Sequence, residues 1–366
     1  MIKLASVFSG IGAIEQALEK IKMQKKINYD IIFACDNGER DIKQSFTEIE
    51  EETKNLTYSE KQKFVKELYG QTKRKNYVKI NYFKNYKISE DQWYEDIRFI
   101  DGTRYKNNIN LLVGGSPCQS FSIMGNRKGL TDERGILVFE YIRLIKEIEP
   151  EVFIFENVPG LLSKKETWEI VEKEFKSTGY TIYSNILNAI DFGIPQNRKR
   201  LFLVGFKNNP NSFEFPEGEP TNKTVFDFLE DKVDYLYYLG KKGFEFVTNP
   251  KNYARARVNH SVMRAQRANQ QYNWNGDFIF EKLDLTKHDE KILSRAYVGE
   301  FQGEKGVVRQ LTPRECLRLM GFPDSFKFEG PNSQIYRQAG NSIVVNVLEE
   351  ILKSILKVVD FNEKKN

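Results

Sequence analysis

The chain predicts an α/β fold: a mostly parallel sheet with helices on both faces, joined to a smaller second lobe. Three observations carry this. Strand-length apolar runs alternate with helix-period segments through residues 1–205, the rhythm of βαβ units. Several of those runs end in glycine or in a carboxylate, as strands do where they feed a turn at the rim of a sheet. After Gly205 the rhythm breaks, and Asn208-Asn209-Pro210-Asn211 and Pro216-Glu217-Gly218 read as loops.

Lys3-Leu4-Ala5-Ser6-Val7-Phe8 is the first strand, and Gly10 and Gly12 make a tight turn after it. Residues 13–21 follow as an amphipathic helix with Ile14, Ala17, Leu18 and Ile21 on one face. Ile31-Ile32-Phe33-Ala34-Cys35 is a second strand that ends at Asp36. Residues 47–95 carry Lys, Glu, Asn and Tyr without a clear strand. They read as a helical surface insertion, because charge runs are usually solvated. Contact with a nucleic-acid backbone stays open, since residues 68–89 are basic and contain no acid. Leu111-Leu112-Val113 and Val152-Phe153-Ile154-Phe155 are further strands, with a helix expected over Leu137–Ile148. At the end, residues 342–359 form an apolar helix with Val344, Val347, Leu348, Ile351, Leu352 and Ile355 on one face. It is expected to pack back on the first domain, and residues 362–366 to fray.

The 366 residues are 40% hydrophobic and 29% charged, as in soluble globular proteins. No apolar run reaches membrane-spanning length and no leader is visible, so a cytoplasmic protein with no membrane partner is expected. Cys35, Cys118 and Cys316 cannot pair fully and show no Cys-x-x-Cys spacing, which fits a reducing compartment. With only His260 and His288, neither a metal site nor a Ser-His-Asp triad is expected. The net charge of +5 says little alone. Its distribution says more: residues 249–276 contain no acid but hold Lys251, Arg255, Arg257, Arg264 and Arg267 among Asn, Gln, Tyr and Trp. That composition suits a nucleic-acid surface and equally a solvated face.

Four local patterns bear on chemistry. Phe8-Ser9-Gly10-Ile11-Gly12 with Asp36, 24 residues beyond Gly12, follows the logic of a dinucleotide site. The third glycine is missing, which favours an adenosine ligand without a diphosphate. Leu111-Leu112-Val113-Gly114-Gly115-Ser116-Pro117-Cys118-Gln119 presents a thiol just past a strand end. Such a thiol is a nucleophile if its pKa is lowered, and otherwise an idle cysteine. Glu156 ends an apolar strand, a place that raises a carboxyl pKa and suits a proton donor, or that simply caps a helix. Arg198 and Arg200 precede another strand, where alternation would put them on one side.

Together the ordered motifs identify a resemblance. They are FSGIG, the Asp36 strand end, Asp96-Ile97, GGSPCQSFS, ENVPG, QNRKR, Arg309-Gln310-Leu311-Thr312-Pro313-Arg314-Glu315-Cys316, and Gln338-Ala339-Gly340-Asn341-Ser342. The chain resembles the cytosine-C5 DNA methyltransferases of prokaryotic restriction-modification type. The resemblance implies a Rossmann-like, S-adenosylmethionine-dependent catalytic domain over 1–205, with 47–95 inserted. It also implies a target-recognition domain over 206–329 and a C-terminal segment over 330–366. Cys118 would attack C6 of a flipped cytosine; Glu156 would serve N3, and Arg200, helped by Arg198, O2; Pro117 and Asn157 would shape the pocket. S-adenosylmethionine would lie on Phe8, Ser9, Gly10, Ile11 and Gly12, with Asp36 and Asn37 at the ribose and Asp96 at the adenine amine. Ile97, Leu137, Asn341, Ser342 and Ile343 would complete that site. Residues 120–134 match the family's closing loop, from which Ser122 and Arg127 would touch DNA. Arg255, Arg257, Arg264, Gln266, Arg267 and Gln270 are candidate DNA contacts in the second lobe, where the family's usual Thr-Leu pair is missing.

The implied activity is sequence-specific DNA (cytosine-5-)-methylation by a monomer acting on double-stranded DNA, with a cognate restriction endonuclease as a separate partner. A tRNA-modifying relative would carry a Cys-Phe-Thr signature, which is absent, and amino-methylating enzymes would carry Pro-Pro, also absent. A non-catalytic DNA-binding relative would need a damaged pocket, whereas Cys118, Glu156 and Arg200 are all present.

Overall fold

The computed structural model describes residues 1–25, 27–116, 137–210 and 212–361. The chain divides into two compact units, Met1–Leu187, Lys199–Glu217 and Leu348–Asn366 in one, Asn188–Arg198 and Gly218–Val347 in the other.

In chain order the first stretch holds β1 (Ile2–Val7), α1 (Ala13–Lys25), β2 (Tyr29–Cys35), α2 (Phe46–Thr53), α3 (Tyr58–Gly70), α4 (Tyr77–Asn85), β3 (Trp93–Tyr94), β4 (Leu111–Gly114), α5 (Leu137–Ile148), β5 (Val152–Asn157), α6 (Lys165–Lys176) and β6 (Thr181–Asn188). After β7 (Gln196–Asn197), which belongs to the second unit, β8 (Lys199–Phe206) returns to the first. Seven of these strands form one sheet in the order β3-β2-β1-β4-β5-β8-β6. The pairs β1–β2, β2–β3, β1–β4 and β4–β5 are parallel, and β8 runs antiparallel to β5. The strand order reverses at β1: the chain leaves it for β2 and then crosses to β4. In such sheets the crevice outside the carboxyl ends, at the reversal, is where ligands bind.

Buried on both faces, β4 and β5 read as continuous apolar runs. Their cover comes from α5, whose Val138, Tyr141, Ile142, Ile145 and Ile148 are buried. The Tyr141 hydroxyl donates to the carbonyl oxygens of Ile154 (2.8 Å) and Leu112 (3.2 Å). Phe153 and Phe175 stack with centroids 5.7 Å apart. Across the sheet from Phe153, a Cβ on Gly205 would fall 2.0 Å from its ring, so β8 needs a glycine there.

The expected surface insertion is helical and is also part of the core. Capping boxes start α2 at Ser45 with Glu48 and α3 at Thr57 with Glu60. Ile49, Val65 and Tyr69 cluster with Phe99, and Tyr82 and Trp93 are fully buried. The Lys and Glu residues that marked the segment as solvated occupy the opposite faces of helices only 8 to 13 residues long.

The second unit contains α7 (Lys241–Thr248), β9 (Ala256–Val258), β10 (Met263–Arg264), β11 (Gly276–Lys282), α8 (Glu290–Arg295), β12 (Gly299–Phe301), β13 (Glu304–Gln310), α9 (Pro313–Arg318) and α10 (Asn332–Asn341). Four strands make a sheet in the order β12-β13-β11-β9, and β10 pairs with β7. Below the sheet, buried Arg309 forks onto Glu315 at 2.9 Å through two nitrogens and onto Glu281 at 2.5 Å. His288 bonds the other Glu281 oxygen at 3.0 Å and accepts from the Asp284 amide at 3.1 Å, which makes it a structural histidine. The last helix, α11 (Val345–Ile355), carries the expected apolar face, and its residues from Leu348 belong to the first unit. There Glu349 meets Lys20 and Gln24 of α1. Residues 362–366 lie outside the described residues. Among the described residues no helix is long and apolar enough to cross a membrane.

Candidate active site

The polar groups of the first unit's crevice leave the carboxyl ends of parallel strands, except Arg200, which stands at the amino end of antiparallel β8. At the end of β1 the chain turns through Phe8 (φ 52°), Gly10 (φ 53°) and Gly12 (φ 83°). A left-handed aromatic residue is uncommon and marks a turn held in place by its surroundings. The Ser9 amide donates to the Cys35 carbonyl (3.1 Å), and the Ser9 hydroxyl accepts from the Cys35 amide (3.1 Å), tying this turn to the end of β2. The Gly10 amide donates to Asp36 Oδ2 (2.9 Å), and the Gly38 amide to Asp36 Oδ1 (2.8 Å). Burial pushes the Asp36 carboxyl above its ordinary value, and those two amides oppose that only in part. A Cβ on Gly10 would meet nothing within 4 Å. The space above that turn therefore admits a ligand against the backbone, beside a carboxylate suited to hydroxyl groups. Asn37 caps the next turn, accepting from the Glu39 amide (2.9 Å) and donating to the Arg40 carbonyl (3.1 Å).

At the end of β3, Asp96 is buried and already bound. Arg98 reaches its Oδ2 at 2.7 Å and the Tyr69 hydroxyl the same oxygen at 2.8 Å. Buried Ile97 follows in a helical turn, and Leu137, half-buried, opens α5. These groups fit an adenosine-bearing methyl donor: open backbone, a ribose-type acceptor and apolar neighbours. Asn341, Ser342 and Ile343 close α10 in the second unit, where the Ser342 carbonyl accepts from Arg198.

The chemistry-bearing pair stands at the ends of β5 and β8. Arg200 Nε lies 2.9 Å from Glu156 Oε1, and both side chains are partly exposed. Antiparallel pairing of β5 with β8 brings them together, Glu156 facing Phe202 in register. A Cβ on Gly115 would fall 2.8 Å from Glu156 Oε2, so the glycine after β4 lets the carboxylate lie over the backbone. Asn157, 2% exposed, donates to the Ser116 carbonyl (3.2 Å) and hydroxyl (3.3 Å) while accepting from the Val158 amide (2.8 Å). It fixes the chain two residues before Cys118. Pro117, Cys118, Ser122 and Arg127, and the expected closing loop, lie outside the described residues.

Arg198 does not follow the alternation expected of it. The strand breaks between Asn197 and Lys199, and the buried Arg198 guanidinium donates to the carbonyl oxygens of Gln266 (2.7 Å), Gly340 (3.0 Å) and Ser342 (2.7 Å). It organises the second unit instead of presenting a cation to a base. Gly340 belongs to the same knot: a Cβ there would strike the Arg267 carbonyl at 2.3 Å.

The candidate DNA contacts also sort differently. Gln266 and Gln270 are buried, at 1% and 3% exposure. Gln266 donates to the Cys316 carbonyl (2.9 Å) and Gln270 lies against Gly276. Arg264 donates to the carbonyl oxygens of Ala254, Arg255 and Gly276. Gln266 and Gln270 are thus enclosed within the unit, and Arg264, partly exposed, is engaged by three backbone carbonyl groups. Arg255 and Arg267 are exposed, and Arg257 lies over the Tyr253 ring at 4.5 Å. Cys35 and Cys316 are buried free thiols whose pKa burial pushes up, as expected of core cysteines.

The family model for C-5 cytosine-specific DNA methylases matches residues 53–357. The chain belongs to this family. It is 34% identical over 270 residues to the type II methyltransferase M.HhaI of Haemophilus parahaemolyticus, covering 69% of this chain and 77% of that protein. To the type II methyltransferase M.Bsp6I of a Bacillus species it is 30% identical over 373 residues, spanning 98% and 99% of the two. Among solved structures it resembles the Entamoeba histolytica methyltransferase EhMeth (TM-score 0.68, 18% identity, 98% of both chains). It also resembles a DNMT2 mutant of Spodoptera frugiperda (TM-score 0.67, 16% identity, 97% of this chain and 100% of that one). At these identities the structural likeness concerns the fold alone. As a member of this family the chain is a DNA methyltransferase with a large, mostly parallel sheet.

Proposed function

We propose that the chain carries out the DNA (cytosine-5-)-methyltransferase reaction at one cytosine of a specific duplex sequence, with S-adenosylmethionine as methyl donor. The observation that carries this reading is the Glu156–Arg200 pair, 2.9 Å apart at the carboxyl edge of the sheet beside Gly115. Such a pair can meet one polar edge of a flipped pyrimidine with both a proton donor and a cation. Stacked bases hide C6 from a protein thiol, so the target must leave the helix.

In this reading Cys118 forms a bond to C6 through its thiolate and breaks the 5,6 double bond. Negative charge develops toward N3 and O2; Glu156 holds a proton at N3 and Arg200 donates to O2. S-adenosylmethionine, when bound, would supply an electrophilic methyl group, which C5 takes as the bond to the sulfonium sulfur breaks and S-adenosylhomocysteine is left. Asp36 and the turn at Gly10 orient that donor, and Asn157 fixes the backbone leading to the thiol. A base then removes the C5 proton and the Cys118–C6 bond breaks, which restores the 5,6 double bond and the thiolate, while the proton at N3 returns to Glu156. The reading extends to a monomer in a bacterial cytoplasm or nucleoid that protects host DNA from a separate restriction endonuclease.

Label transfer from tritiated S-adenosylmethionine into duplex DNA and into tRNA, with wild type and Cys118→Ala, tests it. Uptake into DNA alone, falling to background in the variant while duplex binding persists, is expected. Uptake into tRNA, or full transfer by Cys118→Ala, would overturn the substrate or the nucleophile respectively. Bisulfite sequencing of DNA from expressing cells then reads out which cytosine is modified.

A further inference from the structure

We infer that the helical segment 47–95 is a positioning module for the methyl donor: it clamps each strand-end turn assigned to that ligand, and so sets cofactor affinity. The inference rests on the reading of this sheet edge as the S-adenosylmethionine site.

Four contacts carry it, three at the turns that follow β1, β2 and β3 and one beneath the first of them. At the glycine turn, the Tyr86 hydroxyl donates between the carbonyl oxygens of Gly12 (2.6 Å) and Ile11 (3.1 Å) and accepts from Gln16 Nε2 (3.1 Å). Its ring occupies the place a Gly12 Cβ would need, 2.2 Å away. At the Asp36 turn, Asn76 Nδ2 donates to the Asp36 carbonyl (3.0 Å) and to Glu95 (3.2 Å). Its Oδ1 would lie 2.3 Å from a Cβ on Gly38, whose φ is +64°. At Asp96, the Tyr69 hydroxyl donates to Oδ2, and the Tyr69 carbonyl accepts from Arg40 (2.9 Å). Beneath the turn, the Tyr82 hydroxyl meets Glu15 Oε1 at 2.5 Å and Ser6 meets the same oxygen at 2.7 Å, with Glu15 fully buried at the start of α1.

A solvated insertion has no reason to aim four buried polar side chains at one ligand edge. The two turns carry left-handed non-glycine residues, Phe8 (φ 52°) and Glu39 (φ 54°), and flexible glycines, so outside support holds them in one conformation. A site held ready loses less freedom on binding. Because coupling between ligand and segment is reciprocal, the bound donor must in turn stabilise α4.

The test uses the full chain and S-adenosylhomocysteine as probe, by calorimetry and by hydrogen exchange. Tyr86→Phe keeps the ring under Gly12 and removes only the hydroxyl. It is expected to weaken S-adenosylhomocysteine binding about 3- to 10-fold, the usual worth of one hydrogen bond. Asn76→Ala is expected to weaken it at least as much. In both, KM for the methyl donor rises while kcat at saturation and duplex affinity stay near wild type. In wild type, the probe should slow amide exchange in α4, and duplex DNA alone should not. Asp36→Ala is the control for the underlying reading. If Asp36→Ala weakens probe binding while Tyr86→Phe and Asn76→Ala do not, the inference fails. If Asp36→Ala leaves it unchanged, the placement of the cofactor fails instead. A parallel loss of duplex affinity, or no slowing of exchange in α4, also overturns the inference.

Discussion

The carboxyl edge of the large sheet keeps its polar groups at the rim, whereas the basic segment of the second unit divides its own: Lys251, Arg255 and Arg267 are exposed, and Gln266 and Gln270 are buried. Glu156 and Arg200 pair with each other and stay partly exposed. Arg264, Gln266 and Gln270 instead serve carbonyl oxygens and glycine contacts within their own unit. Arg198 and Arg200 show the same contrast two residues apart in the chain. One guanidinium is buried on three carbonyl groups, and the other reaches a carboxylate at the sheet edge. The lesson is that a cation's task follows from what surrounds its head group. An exposed pair can exchange its partner for a substrate; a buried one cannot without leaving carbonyl groups unsatisfied.

The largest break of this comparison is Glu156→Gln. It retains shape but removes the ionisable proton, and kcat is expected to fall ~10²- to 10⁴-fold with little change in melting temperature. Loss of stability without loss of turnover would place Glu156 in the structural class. Next comes the pair of arginines. Arg198→Ala should destabilise the protein by ~3 kcal/mol or more, since several charge-assisted bonds to buried groups are lost together. Arg200→Ala should cost ~1 kcal/mol or less in stability yet depress turnover, as denaturant titration beside single-turnover kinetics would show. Equal effects on stability would erase the distinction.

The buried carboxylate Asp277 sharpens the comparison through pH. Burial pushes its pKa up to about 6, and Arg264, 3.8 Å away, only partly opposes that. A pKa raised by folding means that the native state holds the proton more tightly. This group's stabilisation is therefore complete below about pH 4 and lost as pH rises through about 6. Asp277→Asn should remove a pH-dependent difference of ~2–3 kcal/mol, measured as the gap between variant and wild-type stabilities across pH 4–7. A constant gap would show that Asp277 titrates normally. The smallest effect is expected at the exposed rim. Arg267→Ala should weaken duplex binding evenly across sequences and reduce the salt slope by ~1. An unchanged slope would remove it from the phosphate contacts.

Much of this was legible without coordinates because it is local. Apolar runs ending in glycine or a carboxylate determined β1, β2, β4 and β5, and with them the positions of Gly10, Asp36, Gly115 and Glu156 at one sheet edge. Helix α5 was readable to the residue from its apolar spacing. The ordered motifs determined the family, which the matched model covers over residues 53–357. Three matters were decided only by tertiary structure. Segment 47–95 looked solvated because composition counts charges without saying which face they occupy; its Tyr69, Asn76, Tyr82 and Tyr86 bond to Asp96, Asp36, Glu15 and Gly12. Arg198 and Arg200 looked alike because strand alternation cannot foresee a break at position 198. Glutamines that looked like base readers proved to be core. Sequence pattern records period and residue type, which suffice for strands and their ends. The partner of a long polar side chain depends on segments far away in the chain, 144 residues for Arg198 and Ser342 and 325 for Gln24 and Glu349, and only packing brings those within hydrogen-bond reach.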